Sequence, residues 1–181
     1  MVFDIFTLVE AIFFILPAYA ANGLAPLFRG RHMIDGGRMI KKQPIFGSGK
    51  SWEGLLGGIV VGGIIGLVEQ LAFPYLPWGL SPQPLMLVPM TLMLGLTIGA
   101  GAMFGDLCAA FTKRRCGIER GRPAPLLDQL DFIIGAFAFT LFFGAVALKS
   151  DWFVLLFVIT PVIHVVANVF GYLFKVKKEP W

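Results

Sequence analysis

At 181 residues, 57% hydrophobic and 14% charged with a net charge of +4, the chain is far from the composition of a water-soluble domain, which carries about a quarter charged residues. A mean hydropathy of +0.79 makes the bilayer its solvent. The two cysteines, Cys108 and Cys116, support neither a disulfide framework nor a zinc site.

In chain order, the first apolar run covers 4–26. Its "AYA" at 18–20 imitates a signal-peptidase site, but Asp4 and Glu10 precede it and no cation does, so a retained membrane helix is expected. Further runs follow at 53–73, 85–111, 129–148 and 152–174, each near the roughly 20 residues a membrane helix needs. Long unalternating apolar runs read as helices, because a lipid-exposed backbone must satisfy its own hydrogen bonds. The expected fold is therefore all-α, a polytopic membrane protein with five transmembrane helices forming a single domain over 1–181. Gly58, Gly62 and Gly66 on the second run, and "GLTIGAGAMFG" on the third, predict close helix packing, with a narrow cavity beside the third helix as the alternative.

Cations fix the orientation. The connection 27–52 holds Arg29, Arg31, Arg38, Lys41, Lys42 and Lys50. The connection 112–128 holds Lys113, Arg114, Arg115, Arg120 and Arg122, and the tail holds Lys175, Lys177 and Lys178. Five crossings place 14 of the 15 Lys and Arg residues on one side and leave Lys149 alone on the other. The predicted topology has the N-terminus outside and the C-terminus cytoplasmic, in the cell membrane, with both basic loops and the active site facing the cytoplasm. No nucleic-acid partner is expected, and no oligomeric state is set by the sequence.

The first basic loop carries "GSGKSWEG" at 47–54. It fails as a P-loop because Pro44 stands where the first glycine belongs and no strand precedes it. Its glycines still let backbone approach a ligand, Lys50 can reach a phosphate, and a helix N-terminus follows.

Carboxylates at membrane depth are costly, about 2.5–3.5 kcal/mol each on insertion scales, so they mark function. Asp106 lies before the cytoplasmic end of the third helix. Asp128 and Asp131 open the fourth, three residues apart and on one face. Antiparallel neighbours would bring the three to similar depth, where oxygen donors suit a hard divalent cation, foremost Mg²⁺ holding phosphate oxygens. Taken singly, Asp128 also serves as a helix N-terminal charge, and Asp131 as a partner for Arg120 or Arg122. The stiff "RGRPAP" shapes the connection, and arginine forks suit phosphate. His164 and Asn168 share a face of the fifth helix, as interhelical hydrogen-bonding groups or as a polar pocket. Glu10 and Glu69 lie in the outer half, away from these groups.

The stretches "KRRCGIERGRPAPLLDQLDF" and "GSGKSWEGLLGG" resemble the two hallmark segments of the CDP-archaeol synthases, archaeal membrane relatives of phosphatidate cytidylyltransferases. The resemblance spans nearly the whole chain. In the wider superfamily the signature reads Lys-Arg, four residues, Lys-Asp, a Gly-rich turn, then Asp-Arg-x-Asp. Lys113-Arg114 match its first pair, and Asp128-Gln129-Leu130-Asp131 its last element with Gln for Arg. Glu119-Arg120 reverse the middle charges, and "RPAP" replaces the turn. Asn22 and Asp35, in "AN" and "IDGG", also resemble family positions. The resemblance implies a CTP-dependent cytidylyltransferase. CTP and an isoprenoid ether-lipid phosphate, an unsaturated archaetidic acid (digeranylgeranylglyceryl phosphate), would give CDP-archaeol and pyrophosphate with Mg²⁺. Asp106, Asp128 and Asp131 are then the expected metal ligands. Lys113, Arg114 and Arg120 would hold the triphosphate or lipid phosphate, Lys113 also acting at the reaction centre, and Lys50 and Asn22 would hold the nucleotide or phosphate.

Two other readings compete. A CDP-alcohol phosphotransferase also combines Mg²⁺ with membrane aspartates, but "IDGGRM" does not continue as that family's motif does. A small transporter would use buried acids and glycine-rich helices, but the acids cluster on one side rather than crossing the membrane.

Overall fold

A computed structural model describes residues 4–76, 85–144 and 146–173; the side chains of residues 167, 168 and 171, Asn168 among them, fall outside that description, as do Lys175, Lys177 and Lys178. Five helices run through it: α1 Ile5–Leu24, α2 Trp52–Ala72, α3 Leu92–Arg115, α4 Leu127–Phe143 and α5 Ser150–Leu173. The first three begin at side chains that satisfy free backbone donors: Asp4 accepts from Thr7 N, Ser51 from Gly54 N and Thr91 from Leu94 N. Helix α4 starts after the proline-stiffened "RPAP", at Leu126 with φ +65°, where Gln129 Oε1 accepts the Leu126 N–H at 3.3 Å.

Three details depart from the sequence expectation. Residues 85–91 are not helical, and α3 begins only after Thr91. It then runs four residues beyond the expected end at 111, so Lys113, Arg114 and Arg115 form its last turn, where cations complement the negative helix end. The connection to α4 shrinks to 116–126. Helix α4, at 17 residues, is only about 26 Å long against a hydrocarbon core of about 30 Å. The segments Ile5–Phe28, Trp52–Tyr75 and Leu92–Arg115 are the described ones long and apolar enough to cross a membrane.

The third departure is a small addition to the helical fold. Within 27–52 an antiparallel hairpin pairs β1 Met39–Ile40 with β2 Gln43–Pro44, Met39 opposite Pro44 and Ile40 opposite Gln43. Its turn residues, Lys41 at φ +49° and Lys42 at φ +66°, are not the Asn-Gly pair such a turn favours, so local sequence does not announce it. Contacts from α3 hold it instead.

Helix α3 is central, flanked by α2 and α4 through glycines on two of its faces. A Cβ added at Gly66 would lie 2.8 Å from the Gly95 Cα, and one at Gly135 2.9 Å from the Gly105 Cα. Only glycine permits such backbone approach. On the other side of the bundle Phe14 of α1 stacks on Trp152 of α5 (5.6 Å between centroids) and edges onto Phe137 of α4 (5.2 Å). Tyr19 Oη and Thr160 Oγ1 join α1 to α5 at 2.7 Å.

At the end away from the basic loops, Glu10 is buried and fully engaged. It accepts from Met86 N (2.6 Å), Lys149 Nζ (2.6 Å) and Trp152 Nε1 (3.1 Å), tying α1 to the start of α5 and to the chain before α3. Because Lys149 remains partly solvated, Glu10→Gln is expected to cost about 1–2 kcal/mol, seen as a lower melting temperature with unchanged turnover. Glu69 on α2 is also buried, and neither of its carboxylate oxygens has a partner among the described residues.

Candidate active site

The site begins with a loop that folds around one carboxylate. Asp35 is buried; its Oδ1 accepts from Gly37 N and its Oδ2 from Phe46 N and Gly47 N, each at 3.0 Å. Burial alone would raise this carboxyl, but the three N–H donors outweigh it and hold the group below the usual carboxylate range. A lowered folded pKa adds stability that is present above the ordinary value and is lost as pH falls through the lowered one. The protease resistance of this loop is therefore expected to stay flat from neutral pH down to about 4 and to drop only below it. Asp35→Asn, which turns an amide NH₂ towards N–H donors, should expose the loop to cleavage across the whole range.

The loop then aims Lys50. Segment 32–34 lies antiparallel to 50–52: Ile34 N donates to Lys50 O and Trp52 N to His32 O, each at 3.0 Å. Lys50, held between this pairing and the Ser51 cap of α2, forms an ion pair with Asp106 of α3.

A second ion pair closes the other side. Lys113 Nζ meets both oxygens of Asp128, at 2.9 and 2.8 Å, and donates to Arg122 O at 2.8 Å. Asp128 Oδ2 also accepts from Ala124 N at 2.9 Å, so the proline-rich turn presets this carboxylate. Asp131, one turn further along α4, is buried; its Oδ1 meets the Phe132 N–H at 2.6 Å. No ion pair joins it to Arg120 or Arg122 among the described residues, and the charges acting on it are Asp106, Lys50 and Asp128.

Arg114 and Arg120 knit the two loops together, and Arg29 braces the first. Arg114, buried, donates from Nε to Phe46 O at 3.4 Å and from Nη1 to Ile118 O. Arg120 donates to Ser48 Oγ at 2.6 Å, and Arg29 to Ser48 O at 3.0 Å. Burial, and then the neighbouring Arg29 and Arg114, push the Arg120 pKa down. Since a guanidinium keeps its charge at neutral pH, this crowding favours a bound anion.

These groups border two adjoining cavities. The larger, about 650 Å³, is bordered by Tyr19 and Asn22 of α1, Arg29, Lys50, Asp106, Asp128, Asp131 and, from α5, His164. The smaller, about 190 Å³, is bordered by Lys50, Asp106, Lys113, Arg114, Arg120 and Asp128. Gly49, Lys50, Asp106 and Asp128 belong to both walls. Thus Asn22, Lys50, Asp106, Lys113, Arg114, Arg120, Asp128 and Asp131 all face one composite space. Sequence reasoning gave no role to Arg29, Ser48 or Tyr19, and none to Asp35 beyond its resemblance to a family position. Three-dimensional closure of the first loop brings in Arg29, Ser48 and Asp35, and the packing of α1 against α5 brings in Tyr19.

The three aspartates share the larger cavity but do not form a compact cluster: no group of three His, Cys, Asp or Glu side chains among the described residues is placed to hold a metal. Mg²⁺ does not require one. It typically takes one or two carboxylates and fills its remaining positions with water and substrate phosphates. Asp106 and Asp128, both in the shared wall and both balanced by a lysine, fit that donor chemistry.

The family model described as CDP-archaeol synthase (CarS-like) matches residues 2–181. The CDP-archaeol synthase of Thermococcus onnurineus is 39% identical, covering 97% of this chain and 98% of the relative. That of Pyrococcus abyssi is 40% identical, covering 95% and 97%, and that of Methanosarcina barkeri 38%, covering 92% and 99%. A solved structure described as an intramembrane enzyme for archaeal membrane lipids biosynthesis superposes with a TM-score of 0.74. It is 36% identical, over 89% of this chain and 94% of that one.

Proposed function

The chain belongs to the CDP-archaeol synthase family, a family of CTP-dependent cytidylyltransferases, and from that premise we propose that it joins CMP from CTP to a digeranylgeranylglyceryl phosphate, an unsaturated archaetidic acid, with Mg²⁺. Membership in a cytidylyltransferase family sets aside the phosphotransferase and transporter readings. The observation that carries the proposal is the shared wall of the two cavities, where Lys50, Asp106 and Asp128 separate a cationic chamber from a larger one with apolar sides.

In this reading the small chamber receives the β- and γ-phosphates, against Lys113, Arg114 and Arg120. The larger chamber receives the lipid phosphate, with Tyr19, Leu55, Met103, Phe132 and Ile163 beside the first isoprenoid units. Asn22 and Lys50 hold the nucleotide. An oxygen of the lipid phosphate bonds to the α-phosphorus of CTP as the bond to the α,β-bridging oxygen breaks, and pyrophosphate leaves with the electron pair. That nucleophile is already anionic at neutral pH, so no strong base is needed. The chain's task is alignment and charge neutralisation. Asp106 and Asp128, with Asp131 in the wall of the same cavity, would hold Mg²⁺, which would supply neutralisation of the phosphate oxygens. Incoming phosphates compete for Lys50 and Lys113 and release their carboxylates for this role.

The same reading makes residues 1–181 one domain with five spans, the N-terminus outside and the C-terminus and the site cytoplasmic. Support comes from the placement of charge: the described cations other than Lys149 lie in the two basic loops and the last turn of α3, at the site's end of the bundle, whereas Lys149 lies with Glu10 at the far end. The test is pyrophosphate release by purified protein given CTP with archaetidic or diacyl phosphatidic acid. Release that requires both substrates, stops on chelation and favours isoprenoid tails is expected. Release without lipid, or untouched by chelator, would refute the proposal.

A further inference from the structure

The β1–β2 hairpin lies outside the catalytic argument, and its position is informative. Along α3, Phe104, Cys108, Phe111 and Arg115 recur at helical spacing on one face. Phe104 is 52% exposed, Phe111 38%, and Cys108 is exposed too, whereas glycines on other faces of the helix meet α2 and α4. In a membrane protein this stripe is the side that meets lipid. The hairpin is fastened at its basic end. Arg115 donates to Ile40 O (3.0 Å), Gln43 O (3.3 Å) and Pro44 O (2.5 Å), and its guanidinium lies 5.2 Å from the Phe111 ring centre. The hairpin therefore sits beside the exposed stripe of α3, at its Arg115 end.

Its surface suits that place. Met39 is 62% exposed and Ile40 42%, while Arg38, Lys41 and Lys42 are also exposed beside them. The turn keeps two lysines in left-handed conformations where Asn-Gly would sit without strain, so the tip retains charge against local backbone preference. We propose that this hairpin is an interfacial anchor: Met39 and Ile40 enter the headgroup layer of the surrounding leaflet, and Arg38, Lys41 and Lys42 bind anionic lipid phosphates there. Apolar side chains flanked by long basic ones match such a layer, the lysine stems adding apolar cover while their charges stay at the phosphates. Strand β2 leads through Ile45 directly to Phe46, which borders the smaller cavity, so the anchor also steadies the loop that carries Lys50.

The experiment places an environment-sensitive fluorophore at Met39→Cys in a Cys108→Ser/Cys116→Ser background. The protein is reconstituted in vesicles of neutral lipid with or without an anionic phospholipid. A nitroxide lipid labelled near its headgroup competes with aqueous iodide as quencher. The lipid quencher should dominate in anionic vesicles. Lys41→Asn/Lys42→Gly, which suits the turn better and keeps the melting temperature, should reduce that anionic preference about tenfold or more. Dominant iodide quenching in anionic vesicles, or a ratio indifferent to lipid charge and to the double substitution, would overturn the proposal.

Discussion

Asp128→Asn is expected to lower turnover by about a thousandfold or more, while the protein still inserts and keeps its helices. The substitution preserves shape. Asn can still accept from Ala124 N but can no longer balance Lys113, whose ammonium meets both carboxylate oxygens. If Asp128 only clamped Lys113, the damage would appear in melting temperature and leave the Mg²⁺ dependence of any residual activity unchanged. If it holds the cation, residual activity should need far more Mg²⁺. Asp131→Asn sharpens the comparison. No lysine or arginine pairs with Asp131 among the described residues, and its hydrogen bond comes from the adjacent Phe132 N–H, so the loss of a carboxyl able to take a cation is nearly the whole change. Comparable loss of turnover with little change in stability is expected there. Full activity in either variant would remove that residue from the proposed ligand set.

The broad architecture was legible in the sequence because membrane solvent leaves few choices. Apolar runs of the right length fall close to the five helices, and the eight residues singled out line one composite space. What stayed hidden depends on tertiary contact. The hairpin rests on Arg115, more than seventy residues away in sequence, and not on a favoured turn pair. The packing of Glu10 with Lys149 and Trp152 joins residues 139 and 142 apart in sequence. Hydropathy also cannot tell which side of α3 meets protein: up to Asp106 every face of that helix is apolar or small, and in lipid both kinds of neighbour look alike to the sequence. The end of α3 was misplaced for a related reason. Lys113, Arg114 and Arg115 end the apolar run but not the helix, because cations are well suited to a last helical turn.

The glycines of α3 lead to the other large effect. A Cβ at Gly105 would stand 2.8 Å from the Asp131 carbonyl carbon and 3.3 Å from the Gly135 Cα, contacts with backbone that cannot rotate aside. Gly105→Val must therefore push α4 away from α3 next to Asp106 and Asp131. Overpacking of this kind costs about 1–3 kcal/mol or more. A shift near 1 Å between the two aspartate-bearing helices should also reduce turnover by about a hundredfold or more. Gly66→Val provides the control, because its Cβ would meet the Gly95 Cα at 2.8 Å on the α2–α3 seam, well away from the aspartates. Both variants should melt earlier, but only Gly105→Val should lose most of its turnover at temperatures where both remain folded. Equal loss in the two would mean that the α3–α4 seam does not set the geometry of the site, and would detach the proposed chemistry from the packing that is argued to align it.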